Sequence, residues 1–393
     1  MNTDEAHKPK EFPEWQRVGA TQDSEIPERA SVRRLLLVPF LMVGLAACLP
    51  QHLPARPASL TGAVLYIAND DGSLYAYQIG TWTLLAQYAN LPITDGVRGI
   101  DSAGHDLYIA HGSDRSGGFL LNWNLLTQST VWNKHYSFGI DQFSICEGTV
   151  YMPTGELSSG DRWELINAST GAVTGSIAGG AGPHNTICLG SHQYLGGRRA
   201  DYLIVRGIGA GAVGPTPSAQ AGVRPFTVNA AETRVYMTWT DWRGFSVGDV
   251  ATGRLVGTIS FGPVPTSFNA SAPSHGISLS PDGTQIYVLD TPTRSVRVYS
   301  SADSPTLLAT IGVAGLTGSE SPCAYDCARD GWLLHSLDGR YVFVGDSGDV
   351  ISTSLRSVVA HLSPLANDRH GFIEVDFSGG VPVGNSTHFG IGR

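Results

Sequence analysis

The chain has 393 residues, of which only 15% are charged, with 48 Gly and 22 Pro. Low charge, many turn formers and scattered aromatics favour an all-β architecture, and no long amphipathic helical pattern follows residue 60. The net charge is −9, and no Lys/Arg cluster occurs beyond the N-terminal region, which excludes a nucleic-acid partner needing a basic face.

Residues 1–31 are polar and charged, with no evident fold, and a translation start near Val32 would leave them out. Residues 32–47 read as a secretory signal. Arg33 and Arg34 precede a short apolar run, Leu35 to Val43, and then Gly44-Leu45-Ala46-Ala47-Cys48. The run is too short to span a bilayer comfortably. Its end resembles a lipobox, which implies that Cys48 becomes the mature, acylated N-terminus. Residues 48–61 are a Pro-rich tether. Leu49 after the Cys resembles outer-membrane sorting in a Gram-negative host. The expectation is an extracytoplasmic chain that meets the membrane through its lipid alone.

Residues 62–393 repeat. A short apolar strand carrying Tyr recurs at Tyr66, Tyr108, Tyr151, Tyr194, Tyr236, Tyr287 and Tyr341, at spacings of 42, 43, 43, 42, 51 and 54 residues. Around each lie a preceding strand, a Gly-type turn such as Ser280-Pro281-Asp282-Gly283, an alternating strand such as Ser295–Tyr299, and a last strand such as Leu307–Ile311. Four strands in 40–45 residues is the size of a propeller blade. The pattern predicts a seven-bladed β-propeller. The first unit starts at its Tyr strand and lacks an inner strand. The segment Thr387-His388-Phe389-Gly390-Ile391 looks like Ser274-His275-Gly276-Ile277-Ser278, so a C-terminal strand is expected to close blade one. Residues 371–383 then read as an extra hairpin on one rim.

The phrases His275-Gly276-Ile277-Ser278-Leu279-Ser280-Pro281-Asp282-Gly283 and Gly331-Trp332-Leu333-Leu334-His335-Ser336-Leu337-Asp338-Gly339 resemble the blade signature of YncE-like propellers. Relatives of that family include the heavy chain of methylamine dehydrogenase. The resemblance spans roughly residues 60–393 and implies the fold. It does not select among enzymes, binding proteins and accessory subunits.

With Cys48 assigned to lipid, Cys146, Cys188, Cys323 and Cys327 remain, an even number in an oxidising compartment. Cys146 and Cys188 stand one blade period apart at matching places on neighbouring inner strands. Cys323 and Cys327 share a loop. Disulfides 146–188 and 323–327 are expected, with free buried thiols as the alternative for the first pair.

Inner strands begin at the channel mouth, where closed β folds commonly hold ligands. Aligning the blade starts gives a ring of His388, Arg98, Gln142, His184, Arg224 and His275, with Gly331-Trp332 in blade seven. His184, His275 and His388 could hold a divalent metal, with Arg98 and Arg224 gripping an anionic substrate. The same side chains could equally cap loop backbone on a wet surface. His335 reads as a core or channel residue, and His370, before the rim hairpin, as a solvated loop in the first place and as a residue overhanging the funnel in the second. Trp239, Asp241, Trp242 and Arg243 read as blade packing or an aromatic binding surface. Glu374 and Asp376 share one strand face without a recognised catalytic partner. The leading functional expectation is a monomeric, lipid-anchored binding module for a small ligand, glycan or protein. A metal-dependent lyase, lactonase or hydrolase, and an accessory subunit of a periplasmic dehydrogenase, are the alternatives.

Overall fold

The structure, a computed structural model, describes residues 60–386 apart from 180, 269–271, 317 and 322–327. The signal, Cys48, the tether, Cys323, Cys327 and His388 lie outside the described residues. Within them the chain forms seven antiparallel sheets, six of four strands and one of five, arranged as a seven-bladed β-propeller. No helix among the described residues is long and apolar enough to cross a membrane.

Blade six shows how sequence makes a blade. Its strands are Ile277–Leu279, Gln285–Asp290, Ser295–Ser300 and Leu307–Gly312, in spatial order from the channel outward. The first hairpin turns at Asp282-Gly283. Gly283 donates its N–H to Ser280 O at 2.8 Å with φ +70°, a conformation open to glycine. Asp282 accepts from the Thr284 N–H and hydroxyl, fixing the turn from inside. The second strand is buried on both faces because neighbouring blades cover both. The outer strand is only half covered, as the alternating exposure of Arg254–Ser260 in blade five also shows.

The recurrent Tyr has a structural reason. Tyr108 donates to Ala168 O of blade three at 3.1 Å, Tyr194 to Glu232 of blade five at 2.9 Å, and Tyr236 to Ser301 O of blade six at 2.9 Å. Each ring fills an interblade core and its hydroxyl fastens the next blade. Blade seven departs from the expected pattern. Tyr287 pairs with Ser278, and the residue in that register in blade seven is Phe343, paired with Leu334. Tyr341 lies two residues earlier and is only half-buried.

The ring closes through its C-terminal region, but through an earlier segment than expected. The strand beside Gly62–Ala68 is Phe372–Ser378, with Tyr66 opposite Ile373. The segment read as a rim hairpin is therefore the inner strand of blade one. His370-Gly371-Phe372-Ile373 supplies the His-Gly-apolar start that had been matched at His388. Its partner Val381–Asn385 adds a fifth strand on the channel side. Asn385 Nδ2 reaches across to blade two, donating to Ser102 O at 2.7 Å. The predicted disulfide Cys146–Cys188 is formed and joins the inner strands of blades three and four.

Candidate functional site

The register that pairs each Tyr-strand residue with its inner strand also fixes what stands at each blade start. Three residues before the partner of the Tyr lie Arg98, Asp141, His184, Arg224 and His275 in blades two to six, and His370 in blade one. Blade seven contributes Gly331, next to Trp332. Two positions correct the expected ring. In blade one the place belongs to His370, for which a solvated loop was the first expectation and the funnel the second. In blade three it belongs to Asp141, one residue before Gln142.

Backbone irregularity aims these side chains. The pairing of inner and second strand slips between Val97 and Gly99, between Pro183 and Asn185, and between Val223 and Phe226. Arg98, His184 and Arg224 are thus bulged residues, and a bulge turns a side chain that a regular strand would place elsewhere. Gln142 sits against Gly99, where an added Cβ would lie 2.5 Å from its Oε1. The expected wet rim is in fact sequestered. Arg98, Asp141, His184, Arg224, His275 and His370 are all 5% exposed or less.

An aromatic path crosses the ring. His184 and His275 stand 5.9 Å apart, His275 and Trp332 5.3 Å, and Trp332 and His370 5.2 Å, by ring centroids. His184 Nδ1 donates to Asp141 Oδ2 at 2.8 Å. Its Nε2 is buried without a partner among the described residues. His275 Nδ1 donates to Gly331 O at 3.0 Å and lies 3.2 Å from Asp330 Oδ1. Burial holds His275 and His370 well below the usual imidazole range, and nearby arginine charges, Arg369 foremost, add to it. Both are therefore neutral imidazoles at neutral pH.

Carboxylates that the sequence reading passed over answer the cations. Glu156, on the loop after the blade-three Tyr strand, binds Arg198 and lies 3.1 Å from Arg224 Nη1. Arg369 Nε lies 2.9 Å from Asp330 Oδ1 and 3.6 Å from Asp346 Oδ2. Asp70, Asp346 and Asp368 share one pattern. One oxygen of each accepts backbone N–H groups, from Val97, from Asp330 and Gly331, and from Gly371, while the other is buried without a hydrogen-bond partner among the described residues. Burial raises all three, Asp70 to about 7. A shared signal existed in the sequence: an acidic residue soon after the Tyr-strand register, at Asp70, Asp114, Glu156, Asp290 and Asp346. Among the described residues no three His, Cys, Asp or Glu side chains are grouped to hold a metal ion.

The remaining candidates fall elsewhere. His335 Nδ1 bonds Ser278 Oγ at 2.8 Å inside the channel wall, and burial lowers it to about 3. Trp239 and Trp242 donate within blade five, to Ser246 and Ile259 O. Arg243 forks onto Asp290 of blade six at 2.7 and 2.9 Å, and Asp241 occupies a left-handed turn. This cluster is blade packing. On the rim opposite the ring, a cavity of about 410 Å³ lies between Cys146, Glu147, Ser102 and the added strand at Pro382 and Val383.

No family model and no curated protein matches the chain. Solved structures do. A functionally unknown protein from Desulfotomaculum acetoxidans DSM 771 is similar with a TM-score of 0.59 at 11% identity, covering 79% of this chain and 98% of that one. A protein from Bacteroides fragilis NCTC 9343 with a provisional 6-phosphogluconolactonase assignment gives 0.57 at 13% identity, covering 81% and 99%. The dihydro-heme d1 dehydrogenase NirN gives 0.54 at 12% identity, covering 85% and 75%. At such identities these likenesses establish the seven-bladed propeller and nothing finer.

Proposed function

We propose that the chain is a lipid-anchored extracytoplasmic binding module of the YncE-like kind, holding a small uncharged, polyhydroxylated ligand in the polar ring. One observation carries this reading. The ring and the Gln142–Asn185 bridge beside it hold buried donors and acceptors that no group among the described residues answers: His184 Nε2, His370 Nδ1, and the amide nitrogen and oxygen of both Gln142 and Asn185. Each such atom costs about 1–3 kcal/mol when unmet, so a ligand that satisfies several is strongly favoured. Arg224 and Arg369 already face carboxylates, and His275 and His370 are neutral, so hydroxyl groups suit the ring better than a charged ligand. The metal-enzyme and accessory-subunit alternatives gain no comparable support.

The test is a panel of neutral sugars and glucono-δ-lactone, read by emission of Trp332, which lies between His275 and His370. A saturable change that disappears in Trp332→Phe, and that weakens at least tenfold in Gln142→Ala, is expected. If no member of the panel shifts either the emission or the melting temperature, the reading is wrong.

A further inference from the structure

The strand that closes the ring carries two carboxyl groups side by side. Glu374 and Asp376, at i and i+2 on Phe372–Ser378, share one face, and each carboxyl lies within the other's electrostatic reach. Glu374 is 1% exposed. It joins three segments: its Oε2 accepts the Leu337 N–H of blade seven at 2.7 Å, its own N–H donates to Ser386 Oγ at 2.9 Å, and its carbonyl accepts the Ser386 N–H at 2.9 Å. Asp376 pairs with Gly384 of the added strand, and its Oδ1 is buried with no donor among the described residues. A proton on Glu374 supplies that donor.

We infer that Glu374 and Asp376 form a shared-proton latch at the closure of the propeller. With one proton between them the hairpin Phe372–Asn385 is seated; without it, two adjacent anions push the hairpin off the ring. Among the described residues the other charged groups reaching the pair are Asp338 and Arg340, both on the blade-seven turn. Arg340 is already taken by Asp338. The flanking strands Gly62–Ala68 and Val381–Asn385 bring no charge, Tyr66 being one residue from the position opposite Glu374 and so on the other face. Burial above all raises both carboxyls, Glu374 to about 8, so the latch releases on mild alkalinisation. Pro382, Val383 and Asn385 also wall the 410 Å³ cavity, which opens with the hairpin.

The test is hydrogen exchange of the whole chain at pH 6.5 and 9, corrected for intrinsic rates. In the wild type, protection of residues 372–385 is expected to fall about tenfold more than that of Ile277–Leu279. Glu374→Gln keeps a neutral donor to Asp376 and should abolish the difference. Asp376→Asn removes the second anion and should do the same. Equal loss in closing and blade-six strands, or an unchanged pH response in both variants, overturns the latch.

Discussion

His184 and His275 face each other across the channel with ring centroids 5.9 Å apart, although 91 residues separate them in the chain. The propeller brings them together because each begins an inner strand in the same register. Asp141 orients the first through Nδ1 and the Gly331 carbonyl the second. Asp141→Ala strands a buried imidazole N–H. It should cost about 1–3 kcal/mol in urea unfolding, while Asp141→Asn, which keeps an acceptor, should cost less.

Gly99 is the contact on which the position of Gln142 depends. A Cβ there meets Gln142 Oε1 at 2.5 Å and its Cα at 3.2 Å. Gly99→Ala should destabilise by about 1–3 kcal/mol through overpacking and should weaken any ring ligand at least as much as Gln142→Ala. A variant that folds and binds like wild type would show that this approach is not needed.

His335 gives a pH prediction with a definite sign. Its folded-state value is about 3, below the usual 6.5, so the unfolded chain binds the proton first. Its contribution to stability is complete above pH 6.5 and is lost as pH falls toward 3, at about 1.4 kcal/mol per pH unit. His335→Gln cannot titrate. The wild-type minus variant difference in unfolding free energy should therefore decline between pH 6.5 and 4, and a flat difference would contradict the neutral, buried imidazole.

The Cys146–Cys188 disulfide closes a 42-residue interval between blades three and four. The paired Ser variant should lose about 2–4 kcal/mol by restoring freedom to the unfolded chain, an effect that dithiothreitol should mimic in the wild type and not in the variant.

Much of the fold was legible because blade geometry repeats its demands. The Tyr register recurs in six sheets, the Asp-Gly hairpin in blades six and seven and the matched cysteines in blades three and four, and each marks a place that the blade geometry repeats. Closure was harder. Two C-terminal segments begin with His, and only backbone pairing shows that Phe372–Ser378, not the residues around His388, lies beside Gly62–Ala68. The ring was legible to within one residue in blade three, where Gln142 stood for Asp141, because the place is fixed by backbone pairing with Tyr151 and not by residue type. Asp330 and Arg369 were missed because they directly precede the ring positions of blades seven and one, where blades two to six carry the uncharged Val97, Ile140, Pro183, Val223 and Ser274, so no recurring charge marks the place; Glu156 was missed because the acidic residue after the Tyr strand stands at a different distance in different blades.

The anchor reading predicts that Cys48→Ser moves the chain from the membrane fraction to the soluble extracytoplasmic fraction. Membrane retention of that variant would remove the lipid from the account.

Closure of the ring by Phe372–Ser378 underlies the placement of His370, the aromatic path and the latch. Ala63 and Asp376 are direct cross-strand partners in that closure, and oxidation of Ala63→Cys with Asp376→Cys tests it most directly. An intramolecular disulfide that forms in the folded protein and raises the unfolding midpoint is the predicted result. No cross-link, or one formed only between molecules, would contradict the closure and the ring built upon it.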